Sequence, residues 1–283
     1  MKTIVSISEL RQNLTRLKAD GAQVGFVPTM GALHDGHLSL IRQVSEHCSV
    51  KIVSIFVNPK QFGPGEDFAT YPRTLKDDLD KLRVEKVDIV YLPTTADLYP
   101  EGFQTFVINR QNADILCGAH RPGHFDGVLT IVLKLLHIVK PEFACFGRKD
   151  YQQLTLIKQM CRDLNCDVEI LSSETLREAD GLALSSRNRK LSPEARSLAP
   201  RLFEALSHVK EVFHEGQRSA ESLVQQFKQL LKSAPEFELQ YAEIRGADDL
   251  ELQGGVIEKP AVFFVAAFLH GVRLIDNIDL EPS

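Results

Sequence analysis

The sequence has no Cys-x-x-Cys pair, no apolar run long enough to cross a bilayer and no excess of basic charge. Its five cysteines, Cys48, Cys117, Cys145, Cys161 and Cys166, are scattered and odd in number, which suits neither a disulfide framework nor a zinc site. They are expected as small apolar residues of a reducing compartment. The longest uninterrupted apolar stretch, Ala261 to Leu269, falls far short of the roughly 20 residues a membrane helix needs. The opening MKTIVSISELRQNL turns polar before a secretory apolar core of about 7 to 15 residues could form. With 33 Lys and Arg against 38 Asp and Glu, the formal charge is −5, which argues against a general nucleic-acid binder because such affinity comes from neutralising phosphates. These absences point to a soluble cytoplasmic protein that binds neither membrane nor nucleic acid. There is no internal repeat and no low-complexity tract.

What is present suffices for a substantial core: 43% of the 283 residues are hydrophobic and 25% are charged, the ordinary balance of a globular chain of one large or two modest domains. Short apolar runs alternate with amphipathic stretches through the first 180 residues, the pattern of βα units around a parallel sheet. The strand candidates are Val24 to Val27, Val50 to Val57, Val87 to Leu92, Glu142 to Phe146 and Asp167 to Leu171. Helices are expected at about Thr74 to Glu85, Phe125 to Lys140, which Pro141 stops, and Tyr151 to Leu164. In the first of these the run KDDLDKLR reads as a solvated face, with Leu75, Leu79 and Leu82 turned inward.

The pattern changes after Asn188. Ser192-Pro193-Glu194 reads as a helix start, followed by helices near Ala195 to Glu215 and Ala220 to Ser233 and by strands at Phe237 to Ile244, Ala261 to Leu269 and Val272 to Ile278. His270-Gly271 between the last two suggests a hairpin. The expected architecture is therefore α/β: a Rossmann-like, doubly wound parallel sheet over residues 1–180, then a smaller α+β domain over residues 181–283.

The most informative segment is PTMGALHDGH, from Pro28 to His37, where a strand runs into a glycine turn that opens a helix. His34 and His37 are three apart, so in a first helical turn their rings project on one side. The helix N-terminus adds N–H groups and positive potential that favour phosphate, and Gly31 and Gly36 let a nucleotide approach the backbone. Four further segments carry polar groups at strand ends or before helices: SIFVNPKQF (Ser54 to Phe62), RPGHFDGV (Arg121 to Val128), FGRKDYQQL (Phe146 to Leu154) and LREADGLALSSRN (Leu176 to Asn188). The carboxyl ends of parallel strands are where α/β sheets bind ligands, which makes Asn58 and Gln61 candidates for holding a polar substrate. The Arg121 guanidinium suits a small carboxylate, and Lys149 can neutralise phosphate. No Ser or Cys has a base partner in these segments, so no covalent enzyme intermediate is expected.

His-x-Gly-His after the first well-defined strand resembles the signature of the nucleotidylyltransferase and class I aminoacyl-tRNA synthetase superfamily, and the five segments together resemble the pantothenate synthetase (pantoate–β-alanine ligase) family over nearly the whole chain. The resemblance implies an ATP- and Mg2+-dependent ligase that condenses pantoate with β-alanine through a pantoyl adenylate, releasing AMP and pyrophosphate, in a homodimer formed by the sheet domain. It implies catalysis by His37, His34 and Lys149. It places ATP against Met30, Gly31, Ala32, Leu33, His34, Asp35, Gly36 and His37, against Gly147, Arg148, Lys149 and Asp150, and against Leu176, Leu184, Ser185, Ser186 and Arg187. Pantoate falls to Gln61 and Gln153, and β-alanine to Gln61, Asn58, Arg121 and His124. The metal's ligands are left open. Arg148 stands where the family more often has Glu or Gln, Leu184 where it has Met, and Leu176 where it usually has Val. The residues after about 180 are expected to act as a partial lid. An alternative reading, a nucleotidylyltransferase acting on a phosphorylated metabolite, shares the His-x-Gly-His chemistry but wants a basic acceptor pocket in place of the amide-rich segments seen here.

Overall fold

The structure, a computed structural model, describes residues 1–282 and falls into two units. The first contains Met1–Arg148 and Gln153–Glu174; the second contains Lys149–Gln152 and the chain from Thr175 onward.

The first unit is built on six parallel strands. In chain order its elements are β1 (Lys2–Ile4), α1 (Ile7–Ala19), β2 (Val24–Thr29), α2 (Asp35–Ser45), β3 (Val50–Ile55), α3 (Leu75–Val84), β4 (Ile89–Tyr91), the single turn α4 (Thr95–Leu98), α5 (His124–Val139), β5 (Phe143–Gly147), α6 (Tyr151–Asp163) and β6 (Glu169–Ser173). The strands lie in the order β1-β4-β3-β2-β5-β6, so the winding reverses between β2 and β5. Alternate residues of each inner strand serve opposite faces. Val24, Phe26, Ile52, Ile89, Tyr91, Ala144 and Phe146 join one apolar core with residues of α1, α5 and α6. Val27, Val53, Val90 and Cys145 join a second with residues of α2 and α3. Cover on both faces is what makes these strands read as continuous apolar runs, and it confirms the doubly wound sheet.

The second unit carries α7 (Pro193–Leu198), α8 (Arg201–His214), α9 (Ala220–Leu231) and an antiparallel sheet of β7 (Phe237–Gly246), β8 (Ala261–Leu269) and β9 (Val272–Leu280). Residues of all three helices and all three strands share one core, with Phe213, Phe227 and Phe263 fully buried. The β8–β9 hairpin turns on His270 and Gly271, both with positive φ, as a two-residue loop requires.

Two expectations need correction, and one segment had no expectation. The single helix over Ala195 to Glu215 is two helices: α7 ends at Leu198, and Pro200, which has no N–H to donate, caps α8. The first twenty residues hold β1 and α1, which the apolar pattern had not shown. A three-residue edge strand has no period to read, but Ser6, whose hydroxyl accepts from Glu9 N–H at 3.2 Å, does form the S-x-x-E start signal of α1. Finally, KDDLDKLR is not simply a solvated face. Leu75 is 44% exposed, while Asp78 is only 1% exposed.

Candidate active site

The reversal of strand order places a crevice at the carboxyl ends of β2 and β5, where sheets of this kind bind ligands. The segment from Met30 to His37 follows β2, and Gly147 ends β5. The turn is folded from within. Thr29 Oγ1 donates to Ser54 O at 2.8 Å and accepts from Gly31 N–H at 3.2 Å. Gly31 (φ 80°) and Ala32 (φ 51°) both take left-handed backbone. A Cβ on Gly31 would lie 3.0 Å from both Asp78 Oδ2 and Ile55 Cγ2, so glycine is required there for space as well as for φ.

Asp78 holds the turn from the opposite side. Its two carboxylate oxygens accept the N–H groups of Ala32 at 3.0 Å and Leu33 at 2.8 Å, and Oδ1 also accepts from Thr74 Oγ1 at 3.2 Å. Lys81 Nζ donates to Leu33 O at 2.5 Å. Sequence reasoning missed Asp78 because its charge matched that of its solvated neighbours. The one available signal was its place four residues before Leu82, which is buried on the inward side of α3.

His34 is the N-cap of α2, and its own N–H donates to His37 Nδ1 at 3.3 Å. The two imidazoles stack with centroids 4.2 Å apart, tilted by 46°. Because His37 Nδ1 accepts a backbone N–H, the ring proton of neutral His37 sits on Nε2, which makes Nε2 a donor at a helix N-terminus. His34, Gly36 and His37 are half-buried, and Asp35 is exposed.

Beyond β3 the chain forms a 3-10 turn, Pro59–Gln61, capped by Asn58. Asn58 is 1% exposed and its amide is saturated. Oδ1 accepts from Tyr99 OH at 2.8 Å and Lys60 N–H at 3.3 Å, while Nδ2 donates to Gly127 O at 3.1 Å and Gln61 Oε1 at 3.0 Å. Gln61 Nε2 faces Met30 Sδ at 3.2 Å, which joins this segment to the β2 turn. Asn58 was expected among the ligands; here its hydrogen bonds are made to the protein, one of them to the Gln61 side chain.

Arg121 and His124 converge on the same turn. The Arg121 fork embraces Glu66, with Nε to Oε1 at 2.7 Å and NH2 to Oε2 at 2.6 Å. Its NH2 also donates to Gln61 O at 3.4 Å, and its NH1 lies 2.9 Å from His124 Nε2. A guanidinium only donates, so His124 Nε2 accepts, and His124 Nδ1–H donates to Gln61 O at 2.8 Å. The carboxylate that Arg121 was expected to receive from a substrate is here supplied by Glu66, a residue absent from the sequence reading because it lies in a Gly- and Pro-rich loop with no periodic signal.

Arg148 Nε lies 3.4 Å from Glu174 Oε1, and Gln153 is half-buried in α6. In the second unit, Lys149 O accepts from Asn277 Nδ2 at 2.9 Å, and Asp150 is exposed. Leu176, also exposed, accepts Leu184 N–H on its carbonyl at 2.9 Å. Ser185 Oγ accepts from Arg187 N–H at 3.2 Å, opening a 3-10 turn over Ser186–Lys190. Beside these, Arg177 forks onto buried Asp276 at 2.7 and 2.9 Å. Among the described residues no helix is long and apolar enough to cross a membrane.

Comparison with known proteins identifies the family. The family model described as pantoate-beta-alanine ligase matches residues 2–279. A protein named pantothenate synthetase from Carboxydothermus hydrogenoformans is 47% identical over 282 residues, covering 99% of each chain. The crystal structure of pantothenate synthetase from Thermus thermophilus superposes with a TM-score of 0.94 at 42% identity, covering all of both chains. That of pantoate-beta-alanine ligase from Francisella tularensis, complexed with beta-gamma ATP and beta-alanine, does so with a TM-score of 0.81 at 36% identity, covering 100% of this chain and 99% of that one.

Proposed function

This chain belongs to the pantoate-beta-alanine ligase family, and we propose that it divides the two half-reactions of such a ligase among the residues just described. It is an ATP-dependent ligase that condenses pantoate with β-alanine to give pantothenate, AMP and pyrophosphate. Magnesium enters with the nucleotide, whose phosphates supply its hard oxygen ligands.

A carboxylate and an amine do not join in water unaided. The pantoate carboxylate attacks the α-phosphorus of ATP, the bond to pyrophosphate breaks, and the amine of β-alanine then attacks the acyl adenylate, expelling AMP. The attacking carboxylate is already anionic, so the protein's task is to orient reactants and stabilise charge. His37 offers Nε2–H to a phosphate oxygen from the positive end of α2, with His34 beside it. Lys149 and Arg187 are assigned to the pyrophosphate oxygens, and the Leu176 and Leu184 to Ser186 segment to the rest of the nucleotide, alongside Met30 to Leu33, Gly147, Arg148 and Asp150. Gln61 and Gln153 orient pantoate. Arg121 and His124 border the β-alanine end through the Gln61 carbonyl they share, and Arg121 reaches a substrate carboxylate by exchanging Glu66 for it. The observation that carries this reading is His37, whose proton is fixed on Nε2 at the N-terminus of α2.

Two copies are proposed to associate through the sheet unit, to which Phe106 (40% exposed) and Ile108 (61% exposed) lend apolar surface; sedimentation checks this. The residues after 180 are proposed to serve as a partial lid, and the enzyme to work in the cytoplasm, where the expected reducing conditions suit its five scattered cysteines. Activity is tested by incubating ATP, magnesium, pantoate and β-alanine. AMP and pyrophosphate must appear only with pantoate present; their release without it would contradict the assignment.

A further inference from the structure

Tyr99 lies outside every segment discussed for substrate binding, yet it begins a chain of hydrogen bonds that ends at Gln61. Its side chain is held on several sides. Phe56 lies 6.4 Å away and Phe103 4.9 Å, centroid to centroid, and Lys134 Nζ stands 5.8 Å from the ring. The residue is 9% exposed, and burial pushes its phenol well above the ordinary value, so the hydroxyl keeps its proton.

The direction of each bond in the chain is determined by its neighbours. Asn58 Oδ1 faces the backbone N–H of Lys60, which only donates, and Asn58 Nδ2 faces the carbonyl of Gly127, which only accepts. The Asn58 amide therefore has one orientation. Tyr99 OH must donate to Oδ1 at 2.8 Å, and Nδ2 must donate to Gln61 at 3.0 Å. Gln61 then turns Oε1 toward Asn58 and carries its N–H donors on Nε2, which meets the weakly accepting Met30 sulfur at 3.2 Å.

We infer that Tyr99 is a positioning residue for the acid substrate: acting through Asn58, it fixes the Gln61 amide so that Gln61 presents N–H donors to an acceptor oxygen of that substrate. This rests on the assignment of Gln61 to pantoate. The device selects a carboxylate or hydroxyl oxygen at that point and leaves a donor-only group unmatched, because an amide free to flip would offer its carbonyl as readily as its N–H.

The test is steady-state kinetics on full-length wild type, Tyr99→Phe, Gln61→Ala and the double variant, with pantoate and ATP varied separately and thermal unfolding recorded for each. Tyr99→Phe removes one hydroxyl and no ring contact. The expected result is a rise in pantoate KM of about threefold to tenfold, the scale of one hydrogen bond, with ATP KM within about twofold of wild type. Gln61→Ala should raise pantoate KM at least as far, and Tyr99→Phe should add nothing in the Gln61→Ala background. Equal changes in pantoate and ATP KM, or a full further loss in the double variant, would show that Tyr99 acts by general stability and overturn the inference. An unchanged pantoate KM in Gln61→Ala would remove the substrate assignment itself, and the inference with it. An unchanged Tyr99→Phe beside an impaired Gln61→Ala would overturn the inference alone.

Discussion

The carboxylate of Asp78 receives the backbone N–H of Leu33 at 2.8 Å, 45 residues away in sequence, and with its other oxygen the N–H of Ala32 at 3.0 Å. These two donors lie in the turn that delivers His34 to the head of α2, and Ala32 holds a left-handed φ of 51°, which a residue with a Cβ does not adopt without support. Asp78 thereby holds the histidine-bearing turn from a buried position.

Replacing Asp78 by Asn keeps the shape but turns one acceptor into a donor, which then confronts a backbone N–H. A buried, mismatched polar group costs about 1 to 3 kcal/mol, so a lower unfolding free energy is expected. Pantoate-dependent pyrophosphate exchange should fall about tenfold or more if the turn shifts His34 and His37. Exchange at the wild-type rate in a destabilised Asp78→Asn would show that the turn keeps its geometry without the carboxylate.

His37 offers a sharper contrast. His37→Ala should fold and lose about two orders of magnitude or more in the same exchange, the scale of removing one charge-stabilising donor. His37→Gln places an amide N–H near the position of Nε2, so it should recover part of what alanine loses. If glutamine and alanine are equally impaired, the role of His37 as a donor through Nε2 is wrong.

The doubly wound sheet was legible because β2, β3 and β5 are apolar on both faces and α5 carries a strong three-and-four pattern before Pro141. The histidine turn was legible because two imidazoles, two glycines and a helix start share ten residues. Asp78, Glu66 and Tyr99 were not, since each matters through a partner 45, 55 or 41 residues away, and nothing in the local composition reports such a partner. A buried acid in KDDLDKLR looks the same as its solvated neighbours until α3 is laid against the β2 turn. The resemblance of Arg121 to a waiting carboxylate receptor was equally incomplete, for the sequence does not reveal that Glu66 fills the fork.

Gly127 tests the approach of α5 to the Pro59–Gln61 turn. A Cβ there would lie 2.1 Å from Lys60 O and 2.7 Å from Gln61 N, too close for any rotamer to relieve, so Gly127→Ala must move backbone. A stability loss of about 1 to 3 kcal/mol is expected, with a rise in pantoate KM because Asn58 loses its seat on Gly127 O. Gly147→Ala is the control: its Cβ would meet only Leu40 at 3.9 Å, and thermal unfolding should be close to wild type. Indistinguishable unfolding of the two variants would contradict the close approach.

The pair of Glu66 and Arg121 gives a pH dependence whose sign is fixed. Burial alone would raise the Glu66 carboxyl, but the hydrogen-bonded, oppositely charged guanidinium of Arg121, helped by the Gly63 backbone, more than offsets this and brings it below its ordinary 4.5. A carboxyl whose value is lowered by folding contributes stability that is complete above the unfolded value and is lost as pH falls through the folded one. At neutral pH Glu66→Gln should therefore be less stable than wild type by about 1 to 3 kcal/mol, the worth of hydrogen bonds to a charged partner. The gap should close as pH is lowered from about 5 toward 3, because wild-type Glu66 becomes protonated while the amide of the variant cannot titrate. Urea midpoints of the two proteins across that range measure the gap directly, and a difference that stays constant down to the acid limit would mean that the charge on Glu66 contributes nothing to holding Arg121.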